Sequence, residues 1–558
     1  MLTGPHAVRT AVGMLCASMT LAGGCACAAS PDCFTYETQP GDTLIGLSQR
    51  FLAHPTHWPL IAQLNHVDEP RRMPIGLHLC LPVALLKHTS RPGQVLDVVG
   101  DATIVQPPAA GIPRAAPAAL APGQALPAGA AVQTGQDGYV TVQLADGSIL
   151  KVQSDTQATL VRSDDYEDAG FFASAWSVLK GRVETLVQHL TGGEPRYQIK
   201  TPQAVLGVRG TEFRVQTQDG QTTSETLTGR VDVRTQRGLA VVAAGQGLVA
   251  DQHGLGTPMP LPAAPDVSHL PARFERVVIP FALPPVPGAQ GYRIQVASDA
   301  DFRQVRAEAH GTQLPLRITD LPDGSYHLRA RSIDAHGLES ADAVTRFVLK
   351  ARPEAPIPLR PAAGAKVRNT ALLLSWTAHP DAWRYRLEVA RDPAFQDLVF
   401  HRDDLSDTQA EAPLPPGDYH WRLATTARTA PGQPDAGPWG DGQLVRLRAL
   451  PADAPPPRIT ADQLFFQLPG EPGQRFELQL AKDAAFSQAR QTFQSAEAGI
   501  TVARPVEGGT LFMRYRATDP DGYVGPYART QRVELPPCVR DGFGDCVRGH
   551  SRFLNSRP

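Results

Sequence analysis

Four histidines, His54, His57, His66 and His78, fall within one short stretch. A metal site would need them to converge with thiolates or carboxylates at ligand spacing. No further cysteine or acidic cluster stands at that spacing, so no metal is expected. The glycines of Gly207-Val208-Arg209-Gly210 could cradle a phosphate, but neither a lysine nor a helix follows. A structural role is expected instead, with positive φ or close backbone approach at the glycines and a local ion pair from Arg209 or Glu212. Asp519-Pro520-Asp521-Gly522 could ligate Ca²⁺; Asp334-Ala335-His336-Gly337 stands at the same point of a related segment, so a turn is expected. No Ser/His/Asp, Cys/His or paired-carboxylate constellation accompanies a plausible fold. The chain therefore reads as a non-enzyme with no catalytic residue and no cofactor.

The elements that carry these residues span 558 positions, too many for one core, and roughly three to five domains are expected. Asp+Glu (55) and Lys+Arg (53) nearly cancel, leaving a net charge of -2, which favours neither nucleic acid nor an anionic membrane. Proline (52) and glycine (49) are in excess, as in strings of small β domains with many turns.

Arg9 precedes an apolar stretch from Ala11 to Ala22, and Ala26-Cys27-Ala28 fits a small-residue cleavage site. Residues 1–28 are expected to be a signal peptide. Leu21-Ala22-Gly23-Gly24 before Cys25 offers a second reading, lipidation of Cys25, though the leucine stands one place too far away. The stretch is too short to span a bilayer and no later segment is long enough. Export to the periplasm or outer cell envelope is expected. Cleavage after Ala28 leaves Cys33, Cys80, Cys538 and Cys546, an even number that suggests two disulfides. Three pairings are open; proximity favours Cys33–Cys80 and Cys538–Cys546.

Cys33 to Pro82 reads strand, helix, helix, strand. Phe34 to Thr38 is rich in β-formers, Pro40-Gly41-Asp42 signals a turn, and Asp42 or Thr43 can cap the next helix. Leu44, Leu47, Ser48 and Phe51 recur at helical spacing. Pro59 fits the first turn of a second helix, Trp58 to Leu64, with Leu60, Ile61 and Leu64 inward and Asn65 as its stop. A parallel and an antiparallel pairing of the two strands are both compatible.

These residues resemble the LysM family: Gly41-Asp42-Thr43-Leu44, then Trp58-Pro59-Leu60-Ile61-Ala62-Gln63-Leu64-Asn65, then Pro74 and Ile75-Gly76-Leu77-His78-Leu79-Cys80-Leu81-Pro82. The resemblance implies a βααβ fold with antiparallel strands. It also implies binding of an N-acetylglucosamine-containing glycan, usually peptidoglycan. The groove it implies places Gly41, Asp42, Thr43 and Leu44 opposite Asn65, Met73, Pro74 and Ile75, with backbone amides for acetamido groups and apolar side chains for sugar faces.

Further on, Tyr139 to Leu144 and Ser148 to Val152 alternate around Asp146-Gly147. A three-residue loop ending in Gly147 would set Val142 opposite Leu150 and Val140 opposite Val152, keeping one face apolar. Thr134-Gly135-Gln136-Asp137-Gly138, Asp146-Gly147-Ser148 and the run from Thr201-Pro202-Gln203-Ala204 through Gly207, Arg209-Gly210-Thr211 and Phe213 together resemble the FecR domain family. Members named for the prototype pass a surface signal to a cytoplasmic sigma factor through a membrane helix. This sequence shows no such helix, so a soluble envelope sensing or scaffold role is what the resemblance implies.

From Phe274 to Leu535 one motif occurs three times at intervals of about ninety residues. It begins at Tyr292, Tyr385 and Phe476 and ends in Asp-x-x-Phe at Phe302, Phe395 and Phe486. A second motif follows each, at Leu321 to Tyr326, Leu414 to Tyr419 and Val506 to Leu511. The alternation predicts a half-buried strand, and Asp-x-x-Phe is expected to turn the chain and drop the Phe into the core. Phe281, Trp376 and Phe466 should supply large core residues on the preceding strand. The units resemble bacterial fibronectin type III domains, which implies β-sandwiches; each has its own aromatic core set and a Pro-rich joint, so they are expected to fold independently with few contacts between them.

The expected chain is multidomain and mainly β. A signal peptide (1–28) precedes a βααβ module (31–84) and a FecR-like β domain (95–252). Sandwiches follow at 274–350, 353–450 and 455–536, with a disulfide-looped tail at 537–558. Its expected function is non-catalytic. It would bind peptidoglycan glycan and present the other domains as a scaffold to an unidentified envelope protein; the alternative is a component of FecR-type signal transduction.

Overall fold

The computed structural model describes residues 32–107, 116–188, 196–429, 432–487, 490–536, 539–540 and 546–547. The expected signal peptide, Cys25 and the Cys538–Cys546 pairing lie outside the described residues, as do the side chains of Arg209 and Cys546.

The N-terminal module is β1 (Cys33–Glu37), α1 (Leu44–Phe51), α2 (Trp58–Leu64) and β2 (His78–Pro82). Its strands are antiparallel, with Thr35 opposite Cys80. A disulfide joins Cys33 to Cys80 at a Cα–Cα distance of 5.2 Å. Thr43, rather than Asp42, caps α1: its Oγ1 accepts from the Gly46 amide at 3.1 Å. Leu44, Leu47, Ser48 and Phe51 form the buried face of α1. α2 departs from expectation, since Ile61 is buried whereas Leu60 and Leu64 are 51% and 37% exposed. Positions 60 and 64 share one face of the helix and 61 lies a step round from it, so a helix covered on one side buries only one of the two rows.

One sheet running from Thr89–Ser90 to Met259–Pro260 closes on itself as a barrel. Its longest strands are Phe171–Leu186, Val205–Gln218 and Gln221–Thr235, around a core that includes Val142, Leu150, Trp176 and Phe213. The hairpin register is the one the alternation predicts: Val142 pairs with Leu150 and Val140 with Val152. Gly147 turns at φ +83° and donates to the Leu144 carbonyl at 2.9 Å.

The glycines of the 134–138 segment have a steric reason. A Cβ on Gly138 would stand 2.1 Å from the Asp101 carbonyl oxygen, and one on Gly100 2.1 Å from that of Asp137. The two turns therefore interlock through bare backbone. In the later signature, Thr201 and Ala204 close a tight turn, with the Ala204 amide donating to Thr201 Oγ1 at 3.0 Å. Gly210 takes φ +52°, and a register shift lies between Arg209 and Glu212. Of the two glycines, Gly210 serves the backbone through its positive φ, whereas a Cβ on Gly207 would meet nothing within 4 Å.

Three sandwiches follow, each of two sheets. The first packs strands Ile279–Phe281 and Leu316–Ile318 against a five-stranded sheet, and the other two follow the same plan. Each has its own core, in which Phe281, Trp376 and Phe466 are fully or nearly fully buried. The Asp-x-x-Phe expectation fails in one respect. Phe302, Phe395 and Phe486 take φ of +52°, +58° and +57° and lie outside those cores. They sit on the outer sheet face, over Arg329, Arg422 and Arg514 at 4.7, 4.1 and 4.1 Å. The aspartate holds the turn: Asp392 accepts from the amides of Ala394, Gln396 and Asp397, and the Asp397 amide first among them keeps its carboxyl below the usual range.

The modules do not stand apart. The N-terminal core continues into the barrel through Tyr166, Phe171 and Ala173, and Phe34 meets Phe171 at 5.9 Å. The first sandwich is not independent either, because its outer face is buried against the barrel. Between the second and third sandwiches, Lys366 bonds Asp519 and Asp521, both at 2.7 Å. The Asp519–Gly522 segment is a turn, closed by the Gly522 amide on the Asp519 carbonyl at 2.9 Å.

Candidate functional site

The turn after β1 and the loop before β2 are tied together by backbone and threonine. Thr38 Oγ1 donates to the Pro74 carbonyl at 2.6 Å and accepts from the Leu77 amide at 2.9 Å. The Leu44 amide donates to the Pro70 carbonyl at 2.8 Å. This brings Gly41, Asp42, Thr43 and Leu44 alongside Met73, Pro74 and Ile75, but the eight implied residues have different surroundings. Ile75 is 69% exposed, Pro74 is exposed and Met73 half-buried. Gly41 has φ +91° and open space where a Cβ would stand.

Leu44 is fully buried, so its side chain belongs to the core. The Asp42 carboxylate accepts from the Gln39 amide at 2.7 Å and the Tyr36 hydroxyl at 3.0 Å. Burial, then this carboxylate, raises the Tyr36 pKa. Asn65 acts as a backbone mimic: its amide donates to the carbonyls of Ile61 and Cys80, both at 2.9 Å, and its Oδ1 accepts from the Cys80 amide at 2.6 Å. Asp42, Leu44 and Asn65 are therefore engaged within the fold of the module. A cleft of about 320 Å³ lies beside it, lined by Ile45, Trp58, Asp68, Glu69, Pro70 and Arg71. The motif reading missed Ile45 and the 68–71 segment, which carry no distinctive spacing.

A second site joins the barrel to the first sandwich. Arg182, Glu184, Arg214 and Glu225 project from barrel strands toward Arg293, Glu308, Arg329, Arg331, Glu339 and Asp342. Arg331 binds Glu184 at 2.8 Å, Glu339 at 2.9 Å and Asp342 at 2.5 Å. Arg329 binds Glu184 at 2.9 Å, and Arg182 binds Glu339 at 2.8 Å. Five guanidiniums meet five carboxylates, so each buried charge has a partner. Burial alone would raise the carboxylates, but Arg329 and Arg331 hold Glu184 well down. Arg331, Arg214 and Arg329 likewise hold Asp342 at about 2 against its burial. Glu225 goes the other way, raised by burial and then by Glu339. A cleft of about 380 Å³ opens beside this network, lined in part by Lys151, Phe302 and Val344.

The βααβ module, the closed barrel and the three sandwiches define a modular, mainly β protein. Its N-terminal unit is a LysM domain, whose family model matches residues 36–82. Its barrel carries a FecR domain, matched over residues 130–232 by the model described as FecR protein. No curated protein matches the chain. Among solved structures, a "putative anti-sigma factor" from Parabacteroides distasonis ATCC 8503 is similar at 16% identity and a TM-score of 0.20. That match covers 23% of this chain and 59% of the other, less than two thirds of its length. The chicken CNTN1 FN1-FN3 domains are similar at 14% identity and a TM-score of 0.19, over 49% of this chain and 98% of theirs. Among the described residues no helix is long and apolar enough to cross a membrane.

Proposed function

We propose that the chain is an exported, non-catalytic protein of the bacterial cell envelope that binds peptidoglycan glycan through its LysM domain. The FecR barrel and the sandwiches then stand as a scaffold toward an envelope protein. The observation that carries this reading is Ile75, 69% exposed on a loop fixed by Thr38 to the Gly41–Thr43 turn within a LysM domain. In this reading Gly41, Thr43, Met73, Pro74 and Ile75 face the sugar, and Asp42, Leu44 and Asn65 hold them in place. Titration of the oxidised chain with N-acetylglucosamine oligomers tests it. Saturable binding with no shortening of the oligomer is expected; hydrolysis, or no heat and no shift, contradicts it.

One observation favours the alternative, a component of FecR-type sensing. The LysM core is continuous with the barrel at Phe171, and the barrel is locked to the first sandwich, so a glycan held at one end bears on the other. A ligand-dependent change in amide-exchange protection at the junction would support that reading.

A further inference from the structure

Three arginines occupy one position on the outer faces of the three sandwiches. The equivalence rests on matching hydrogen bonds: the Ser340 amide to the Ser332 carbonyl at 3.0 Å, Gly437 to Thr425 at 2.9 Å and Gly525 to Ala517 at 2.9 Å. Arg329, Arg422 and Arg514 each stand three residues before that acceptor, over the Phe of their own Asp-x-x-Phe turn.

The three differ in what supplies the carboxylate. Arg329 donates its Nε to neutral Gln295 at 2.6 Å, meets Glu184 of the barrel at 2.9 Å and pairs more loosely, at 3.4 Å, with Asp342 of its own sandwich. Arg422 meets a carboxylate from its own sandwich, Glu388 at 2.6 Å, which takes the place of that glutamine. In the third sandwich the glutamine is back: Arg514 donates its Nε to Gln479 at 2.9 Å. Tyr527 covers its second face at 4.2 Å. Among the described residues no carboxylate pairs with Arg514. Neighbouring Glu477 is engaged by Arg516 at 2.9 Å and by the Tyr527 hydroxyl. Phe486 and Tyr527 thus sandwich a half-buried guanidinium whose terminal nitrogens, among the described residues, make no ion pair. A planar fork in that state suits bidentate recognition of a carboxylate.

We propose that the outer face of the third sandwich docks an acidic side chain of a protein partner, received by Arg514 as Arg329 receives Glu184. The partner is taken to be a protein because the precedent within the chain is a glutamate on a barrel strand that meets the equivalent sheet face of the first sandwich. Around Arg514, Thr492, Gln494 and Arg532 leave the sheet open to such a contact. The proposal rests on the sandwiches being the presenting part of the scaffold. Its readout at Arg514 is independent of glycan binding, so either idea can fail alone.

The test follows the side-chain Nε–Hε resonances of arginine in the full chain by NMR. The probes are a synthetic peptide with the sequence Lys180–Gln188, its Glu184→Gln version, and sodium acetate. Arg329 is already filled by the chain's own Glu184, and Arg422 by Glu388. The native peptide should therefore shift Arg514 and leave Arg422 unmoved, and the Glu184→Gln peptide should bind several-fold more weakly. Arg514→Gln should abolish the peptide-induced shifts of the neighbouring backbone amides of Thr492 and Gln494, with an unchanged melting temperature as its control. No shift at Arg514 with millimolar native peptide overturns the proposal. Acetate saturating Arg514 as tightly as the peptide overturns the assignment to a protein partner.

Discussion

Arg329 of the first sandwich meets Glu184 of the barrel at 2.9 Å, with side chains only 4% and 9% exposed. A pair this deep is strongly coupled to the packing around it, because removing one partner strands the other charge away from water. Glu184 also pairs with Arg331, so its loss leaves two guanidiniums short. Glu184→Ala should cost about 3–5 kcal/mol in urea unfolding. Glu507→Ala, which breaks the exposed Lys482 pair, should cost less than about 1 kcal/mol. Equal effects of the two substitutions would contradict a closed junction.

The same network makes the junction sensitive to acid. The folded-state pKa of Asp342 is about 2, below the ordinary aspartate value of 3.8. A depressed carboxylate contributes its stability fully above its unfolded value and loses it as pH falls through the folded one. The loss should run from about pH 4 down to about pH 2. Between about pH 6 and pH 3, the native chain should lose about 1 kcal/mol more than Asp342→Asn, measured by denaturant unfolding at both pH values. Parallel losses in the two chains would show that Asp342 is not held down by its arginines.

The sandwiches should differ in autonomy. The second has a self-contained core and carries its own Arg422–Glu388 pair, so excised residues 353–450 should melt in one cooperative transition. Excised residues 262–350 would expose Arg329, Arg331 and Glu339, which are buried against the barrel in the full chain. That fragment should melt well below the second sandwich, or not cooperatively, by calorimetry. A first sandwich as stable alone as in the full chain would contradict the fused arrangement.

Local patterns made part of this legible in the sequence. The Val140–Val142 and Leu150–Val152 alternation fixes its own register, because a one-residue slip would turn the apolar face outward. Sequence proximity was enough to favour Cys33–Cys80, which β1 and β2 bring together. Alternation could not show what lies over an outward face. Arg329 and Arg331 flank the buried Ala330 as solvated residues would, yet a barrel from elsewhere in the chain covers them. Phe302 misled for the same reason: a large apolar residue reads as core, while its ring lies over a guanidinium on the outer sheet face. In the N-terminal module, family motifs named the loops but could not show that Asn65 spends its amide on Cys80 or that Leu44 is buried.

Retention on insoluble peptidoglycan tests the central claim most directly. The full, oxidised chain should co-sediment with purified sacculi and remain intact, releasing no soluble muropeptide. Ile75→Asp places an unpaired carboxylate against the sugar face at an exposed position, so folding should be unchanged and retention reduced at least about tenfold. Leu79→Asp, at a fully buried position, should instead unfold the module by circular dichroism and so separates misfolding from lost contact. Undiminished retention of folded Ile75→Asp, or none with the native chain, would contradict the LysM groove as the glycan anchor.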